Sequence, residues 1–235
     1  MSENDFNPQV MQLLDSIQDV SKYLPTDDEK ALLRKYDECD DYHISNSLIT
    51  KMWDYILFVF PEIDSIYGGY PVQVMHTNGG QGKVLEKCPH NAVIQNYSQD
   101  YTCKTISDLL CAHRTVGREI TYSSEVFDIS QFFIGGNSMN NPHYDVIIYQ
   151  SVKTDYYKTL DRGVYGHLPY YAYYTLRSLE FLVEGGYICI FCTEYEASKI
   201  TTMDEIKNEV KVRKVLKTNL SDDYNCLIIQ KKNGR

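Results

Sequence analysis

Three groups of residues in this 235-residue chain have types and spacings that could do chemistry. The first group is thiol and imidazole. Cys88 with His90, and Cys111 with His113, are Cys-x-His pairs that could together hold a zinc ion. Cys88 and His90 could also form a nucleophile and its base, but residues two apart on an irregular loop rarely meet in that geometry. Cys189 and Cys192 have CxxC spacing inside an apolar run. An extended chain would send them to opposite faces, which predicts core packing and not redox or metal chemistry. The second group is Gly79, Gly80 and Gly82. A phosphate-binding turn must follow a strand and open a helix. Here the first strand is expected at Val84–Glu86, after the glycines, so the run reads as a flexible connector. The third group lies at the ends of apolar runs: Glu86, then Asp100, then Gln150, Ser151, Val152 and Lys153. The carboxyl ends of buried parallel strands are where open α/β sheets bind ligands.

The elements that must position these groups follow from periodicity and caps. Asn7-Pro8 opens a helix with apolar residues at helical spacing to Leu24, and Pro25 stops it. Thr26 and Glu29 form a capping box for a second helix. Ser45 to Phe60 is a third, more apolar helix holding the sole tryptophan, Trp53. It is too short and too charged to span a membrane. Val72-Gln73-Val74 could be a short extended piece within the glycine-rich stretch. From Lys83 onward strands and helices alternate. Strands are expected at Val84–Glu86, Ala92–Tyr97, Glu119–Tyr122, Tyr144–Tyr149, Tyr187–Phe191, Lys211–Lys217 and Asn225–Lys231. Helices are expected at Thr102–His113, at Pro169–Val183 with Gly185-Gly186 as its left-handed stop, and after a capping box at Thr202–Glu205. The fold expected is α/β, a mostly parallel Rossmann-like sheet with helices on both faces, preceded by an N-terminal helical extension. The domain reading is 1–65 helical region, 66–82 connector and 83–235 α/β domain.

Composition narrows the function classes. The formal charge of −9 argues against a stand-alone nucleic-acid binder. One basic concentration stands out: Arg213, Lys214 and Lys217, then Lys231, Lys232 and Arg235. Seven cysteines at irregular spacing, with an acidic, polar N-terminus, predict reduced thiols in a cytoplasm-like compartment and no targeting segment. Twenty-one tyrosines supply large rings with polar tips, suited to half-buried contact surfaces such as the Tyr170–Tyr174 helix face.

Four pieces in order resemble one family. They are Val84-Leu85-Glu86, the helix after Asp100, the strand Tyr144-Asp145-Val146-Ile147-Ile148, and the tyrosine-rich helix with Gly185-Gly186 and its apolar strand. Together they are similar to the catalytic domain of class I S-adenosylmethionine-dependent methyltransferases, specifically the N6-adenine DNA methylases. The resemblance implies a cofactor site at the first two strand ends, falling on Glu86, Cys88, His90 and Asp100. It implies a catalytic tetrapeptide at Gln150, Ser151, Val152 and Lys153. The family carries a two-glycine turn after the first strand; Lys87-Cys88-Pro89-His90-Asn91 has none, and it leaves no room for a crossover helix. Its ribose-binding acid falls near Ser98, with Asp100 two residues on and also placed to cap the next helix. Its Asn/Asp-Pro-Pro-aromatic tetrapeptide, which holds and stacks a flipped base, is replaced by Gln-Ser-Val-Lys. The departures imply a pseudo-methyltransferase that binds no cofactor or metal and acts on a protein partner, as a structural, regulatory, viral or mobile-element component. The alternative is a divergent active methyltransferase using S-adenosylmethionine.

Overall fold

The structure is a computed structural model. It describes residues 6–39, 43–61, 71–77, 80–89, 91–98, 100–111, 122–126, 144–151, 168–217 and 224–233. Helices α1 (Asn7–Ser16), α2 (Asp27–Leu33) and α3 (Asn46–Val59) come first. Then follow β1 (Val72–Thr77), α4 (Lys83–Glu86), β2 (Ala92–Ser98), α5 (Tyr101–Leu110), β3 (Tyr122–Val126) and β4 (Tyr144–Gln150). The chain continues through α6 (Tyr170–Phe181), β5 (Leu182–Cys192), α7 (Glu194–Thr202), α8 (Asp204–Lys207), β6 (Val210–Leu216) and β7 (Asn225–Lys231).

The seven strands form one sheet in the order β3-β2-β1-β4-β5-β7-β6. β3, β2, β1, β4 and β5 run parallel, and β7 enters antiparallel between β5 and β6. Starting from β1, the chain builds outward to β3 on one side, then returns to β4 and β5 on the other. The order therefore reverses between β1 and β4, and such a reversal opens a crevice at the carboxyl ends of those two strands.

Each face of the sheet is sealed by helices. On one face α3 packs Leu48, Ile49, Met52, Trp53 and Ile56 against Val72, Val74, Val146, Ile148 and Phe191. Trp53 donates its indole N–H to the Val84 carbonyl at 2.8 Å, so its polar edge is satisfied inside the core. Ser45 caps α3 through Leu48 N, as its position before the apolar run predicts. On the other face α6 and α7 pack Ala172, Tyr174, Leu179, Ala197 and Ile200 against Met75, Ile147, Tyr149, Ile188 and Ile190. The N-terminal helices α1 and α2 contribute no residue to these two clusters. They make a third cluster with α5, in which Val10, Leu33 and Tyr36 meet Ile106, Leu109 and Leu110.

Several expectations are corrected. Val84-Leu85-Glu86 is not the first strand but most of the one-turn helix α4, with Val84 and Leu85 fully buried. The first strand is β1, inside the stretch read as a connector, and it is the centre of the sheet. The α/β layer thus begins at Val72, and α3, assigned to the N-terminal region, covers one of its faces. α1 stops at Ser16, where Ile17 turns extended, and a short 3-10 turn (Val20–Lys22) completes that region. α6 ends at Phe181; Gly185, at φ +77°, lies within β5 and not at a helix stop. The capping box near the C-terminal third is Thr193–Glu196, at the start of α7, while α8 has no side-chain cap. Not all thiols are reduced: Cys39 and Cys103 form a disulfide, because the segment after α2 folds over α5 and brings their Cα atoms to 5.9 Å. Spacing in the sequence carries no sign of that approach.

Candidate cofactor crevice at the ends of β1, β2 and β4

β1 ends in His76-Thr77, and the chain then turns through Gly80-Gln81-Gly82 directly into α4. Gly80 has φ +46° and Gly82 φ +77°, left-handed conformations that side chains disfavour. The glycine turn therefore follows the first strand and opens a helix, the reverse of the order expected from the sequence. The crossover to β2 takes up residues 78–91, long enough for a right-handed connection with its helix. Neither the glycine turn nor the crossover helix is missing.

The turn is held from below. Ser98, the last residue of β2, donates its hydroxyl to the Gly80 carbonyl at 3.2 Å. A Cβ on Gly82 would lie 2.4 Å from Ser107 Oγ of α5. Ser107 in turn belongs to a buried polar group. Asn96 Nδ2 donates to Ser107 Oγ at 2.9 Å and to Ser98 Oγ at 3.2 Å, and Ser107 pairs with the Tyr122 hydroxyl. Burial pushes the Tyr122 phenol well above its ordinary range, so it stays neutral.

His76 lies beside Asn96 in the register of β1 and β2 and is fully buried. Burial drives its pKa down to about 3, and the neighbouring Asn96 opposes this; among the described residues no hydrogen bond reaches either ring nitrogen. Thr77 Oγ1 and Asn96 Oδ1 are buried without a hydrogen bond as well. A neutral imidazole and an amide oxygen thus share one face of the sheet at the ends of β1 and β2, with the Thr77 hydroxyl on the other face.

Of the residues singled out from the sequence, few enter this crevice. Glu86 sits at the end of α4, and Arg34, directly after α2, holds it through two bonds, Nε to Oε2 at 3.0 Å and Nη2 to Oε1. It is a clasp between the end of α2 and the end of α4. Glu86→Ala is expected to lower stability in urea unfolding by about 0.5–1 kcal/mol, since the pair is partly exposed and screened. Ligand binding at the crevice should stay within twofold. Cys88 is buried in the core beneath α3, and His90 lies outside the described residues. Cys111 is buried as well, and His113 lies outside the described residues. Asp100 caps α5, accepting from Cys103 N at 2.8 Å, as its place before that helix predicts. Cys189 and Cys192 pack on opposite faces of β5, as expected. Burial and the nearby Glu196 raise Cys192 to about 12, which keeps it a thiol.

Gln150 is the last residue of β4, and Ser151 follows it, both almost fully buried. Ser151 donates its hydroxyl to Glu196 Oε1 at 2.6 Å and its backbone N–H to the Phe191 carbonyl at 2.8 Å. Glu196 is also the acid of the α7 capping box. Val152 and Lys153 lie outside the described residues. The sequence reading missed His76 and Asn96, named Ser98 only by alignment, and set Gly80 and Gly82 aside as a connector. The signal available was a Val-Gln-Val-Met run placed directly before the glycines.

Solved structures share this fold. The chain has the class I methyltransferase fold. A protein proposed to be a methyltransferase, complexed with SAH, superposes with a TM-score of 0.53 at 14% identity, over 74% of this chain and 48% of that one. A type I restriction-modification methyltransferase subunit from Streptococcus thermophilus gives 0.52 at 11%, over 76% and 43%. Magnesium protoporphyrin IX methyltransferase from Synechocystis with bound SAM gives 0.53 at 10%, over 97% and 98%. The chain thus spans under half the length of the first two. No family model matches the chain, and no curated relative does. Among the described residues, no helix is long and apolar enough to cross a membrane.

Proposed function

We propose that this methyltransferase-fold chain acts by binding a protein partner and not by methylating an adenine amino group. One observation carries the reading. Where an amino-methylase of the resembled kind keeps a proline-stiffened, base-holding loop, this chain places Ser151, and Ser151 is tied to Glu196 inside a helix cap. A residue committed to that cap is not presented to a flipped base. Gln150 before it is 3% exposed.

A second reading, an S-adenosylmethionine-dependent transferase acting on another acceptor, is favoured by the Gly80–Gly82 turn. The turn lies between the first strand and a helix at the switch point of the sheet, where a backbone can approach a nucleoside cofactor closely. Ser98 stands near the ribose-binding position, so the carboxylate of the family is replaced there by a hydroxyl already bound to Gly80.

Labelled S-adenosylmethionine decides between them. The full chain is incubated with unmethylated duplex DNA and, separately, with total protein from a heterologous cell. The first reading expects no label above the blank. Label on adenine overturns it. Calorimetry with S-adenosylmethionine and SAH tests the second reading, which fails if a folded chain binds neither.

A further inference from the structure

We propose that the outer edge of β6 is a docking site for an extended peptide whose residues alternate between acidic and apolar. β6 ends the sheet four strands across from β1, so the surface stands whether or not the crevice takes a cofactor. Among the described residues no strand pairs with its outer side. Its five central residues, Lys211 to Val215, are all exposed. An exposed edge of unpaired N–H and C=O groups is a template for one more strand.

The side chains on that edge are sorted by face. Val212 pairs with Ile229, and Val215 with Leu227, both of which belong to the core under α6 and α7. Lys214 pairs with Ile228 of the opposite core, and Lys211 with Gln230 beside it on that same face. Residues paired across two strands share a face. A register shift between Val212 and Lys214 preserves this sorting where simple alternation would break it. One face of the edge is therefore cationic and the other apolar. Val212 is 48% exposed and Val215 41%. Val215 continues into a shallow groove with Ala197, Ser198 and Thr201 of α7.

Lys211 and Lys214 make no ion pair or hydrogen bond with any described residue, whereas Lys217 is engaged by Glu194 and Arg213 by Gln230. A partner strand with carboxylates on one face and aliphatic side chains on the other would meet both lysines and cover both valines. A second copy of this chain would not serve. Two β6 edges side by side would oppose lysine to lysine, which is destabilising. A duplex phosphate backbone would match the lysines but leave the valines uncovered, and the chain carries a net charge of −9.

The test uses a fluorescein-labelled peptide, Glu-Val-Glu-Val-Glu-Val-Glu, its Lys-Val counterpart and a 12-base-pair DNA duplex, each titrated with the full chain by anisotropy. The Glu-Val peptide should bind saturably and the Lys-Val peptide at least tenfold more weakly. Lys211→Glu with Lys214→Glu should weaken the Glu-Val peptide at least tenfold and improve the Lys-Val one. Val212→Pro takes one backbone N–H out of β6 and should weaken both peptides. Because that variant can misfold, the two lysine reversals on exposed side chains carry the test. Equal affinity for the two peptides, or no effect of the lysine reversals, overturns the proposal. So does duplex DNA binding that falls with the lysine reversals while the Glu-Val peptide fails to bind.

Discussion

Gly82→Val should destabilise the chain by about 3–5 kcal/mol in urea unfolding. The left-handed conformation at φ +77° costs a side chain about 1–2 kcal/mol, and more for a β-branched one. The new Cβ would also stand 2.4 Å from Ser107 Oγ and 3.2 Å from Ser107 Cβ, so α5 or the turn must shift. A shift of α5 strains the buried bond from Asn96 to Ser107 and the pairing of Ser107 with Tyr122, a shift of the turn strains the bond from Ser98 to the Gly80 carbonyl, and each polar group left unpaired costs about 1–3 kcal/mol. The cause can be separated by a double mutant. Ser107→Ala removes the nearest clashing atom. Gly82→Val in a Ser107→Ala background should therefore cost at least 1 kcal/mol less than in the wild type, a coupling expected only for groups in contact. If the two changes are simply additive, the turn does not press on α5 as described. Under the cofactor reading the single variant also loses S-adenosylmethionine binding while Glu86→Ala keeps it. That contrast moves the crevice from the residues first suspected to the glycine turn.

The misplacement of that turn in the sequence reading has a specific physical origin. Val84-Leu85-Glu86 is a short apolar run, and short runs do not distinguish a strand from one buried turn of helix. In the fold both Val84 and Leu85 are wholly buried, which either state would satisfy. The true first strand was harder to see because its inward positions include His76 and Thr77, polar residues that break the apolar pattern expected of a central parallel strand. Moving the first strand by one element put the glycines in front of it and shortened the crossover. Two of the three apparent losses in the crevice came from that one shift. Elements with clear chemical signals were legible. Val146-Ile147-Ile148 gave β4, Cys226-Leu227-Ile228-Ile229 gave β7, and the caps Thr26 and Asp100 marked two helices. Reading β4 correctly is why Gln150 and Ser151 were found at its end. The bond from Ser151 to Glu196, 45 residues on, required the fold.

His76→Leu should raise stability at pH 7 by about 1–2 kcal/mol and remove a pH dependence that the wild type shows between pH 6.5 and 5. The imidazole is fully buried, with neither ring nitrogen hydrogen-bonded among the described residues, and leaving such a group unpaired costs energy that an apolar side chain of similar volume avoids. Its pKa of about 3 in the fold, against 6.5 for an unperturbed imidazole, fixes the sign. Between those values the unfolded chain binds a proton that the folded chain does not. Stability is therefore complete above pH 6.5 and is lost as the pH falls toward 3, at up to about 1.4 kcal/mol per pH unit. Carboxylates add their own losses only lower down; Glu29, for one, is held below the usual range by Tyr23. Urea midpoints of wild type and variant from pH 8 to 5 isolate the histidine. Unchanged slopes would mean that water or another group reaches the ring. A stability gain together with weaker S-adenosylmethionine binding would mean that the cost of a dry histidine at the end of β1 is kept for a ligand. A gain with binding intact, or with none to lose, would leave His76 as strain in the core of a binding protein.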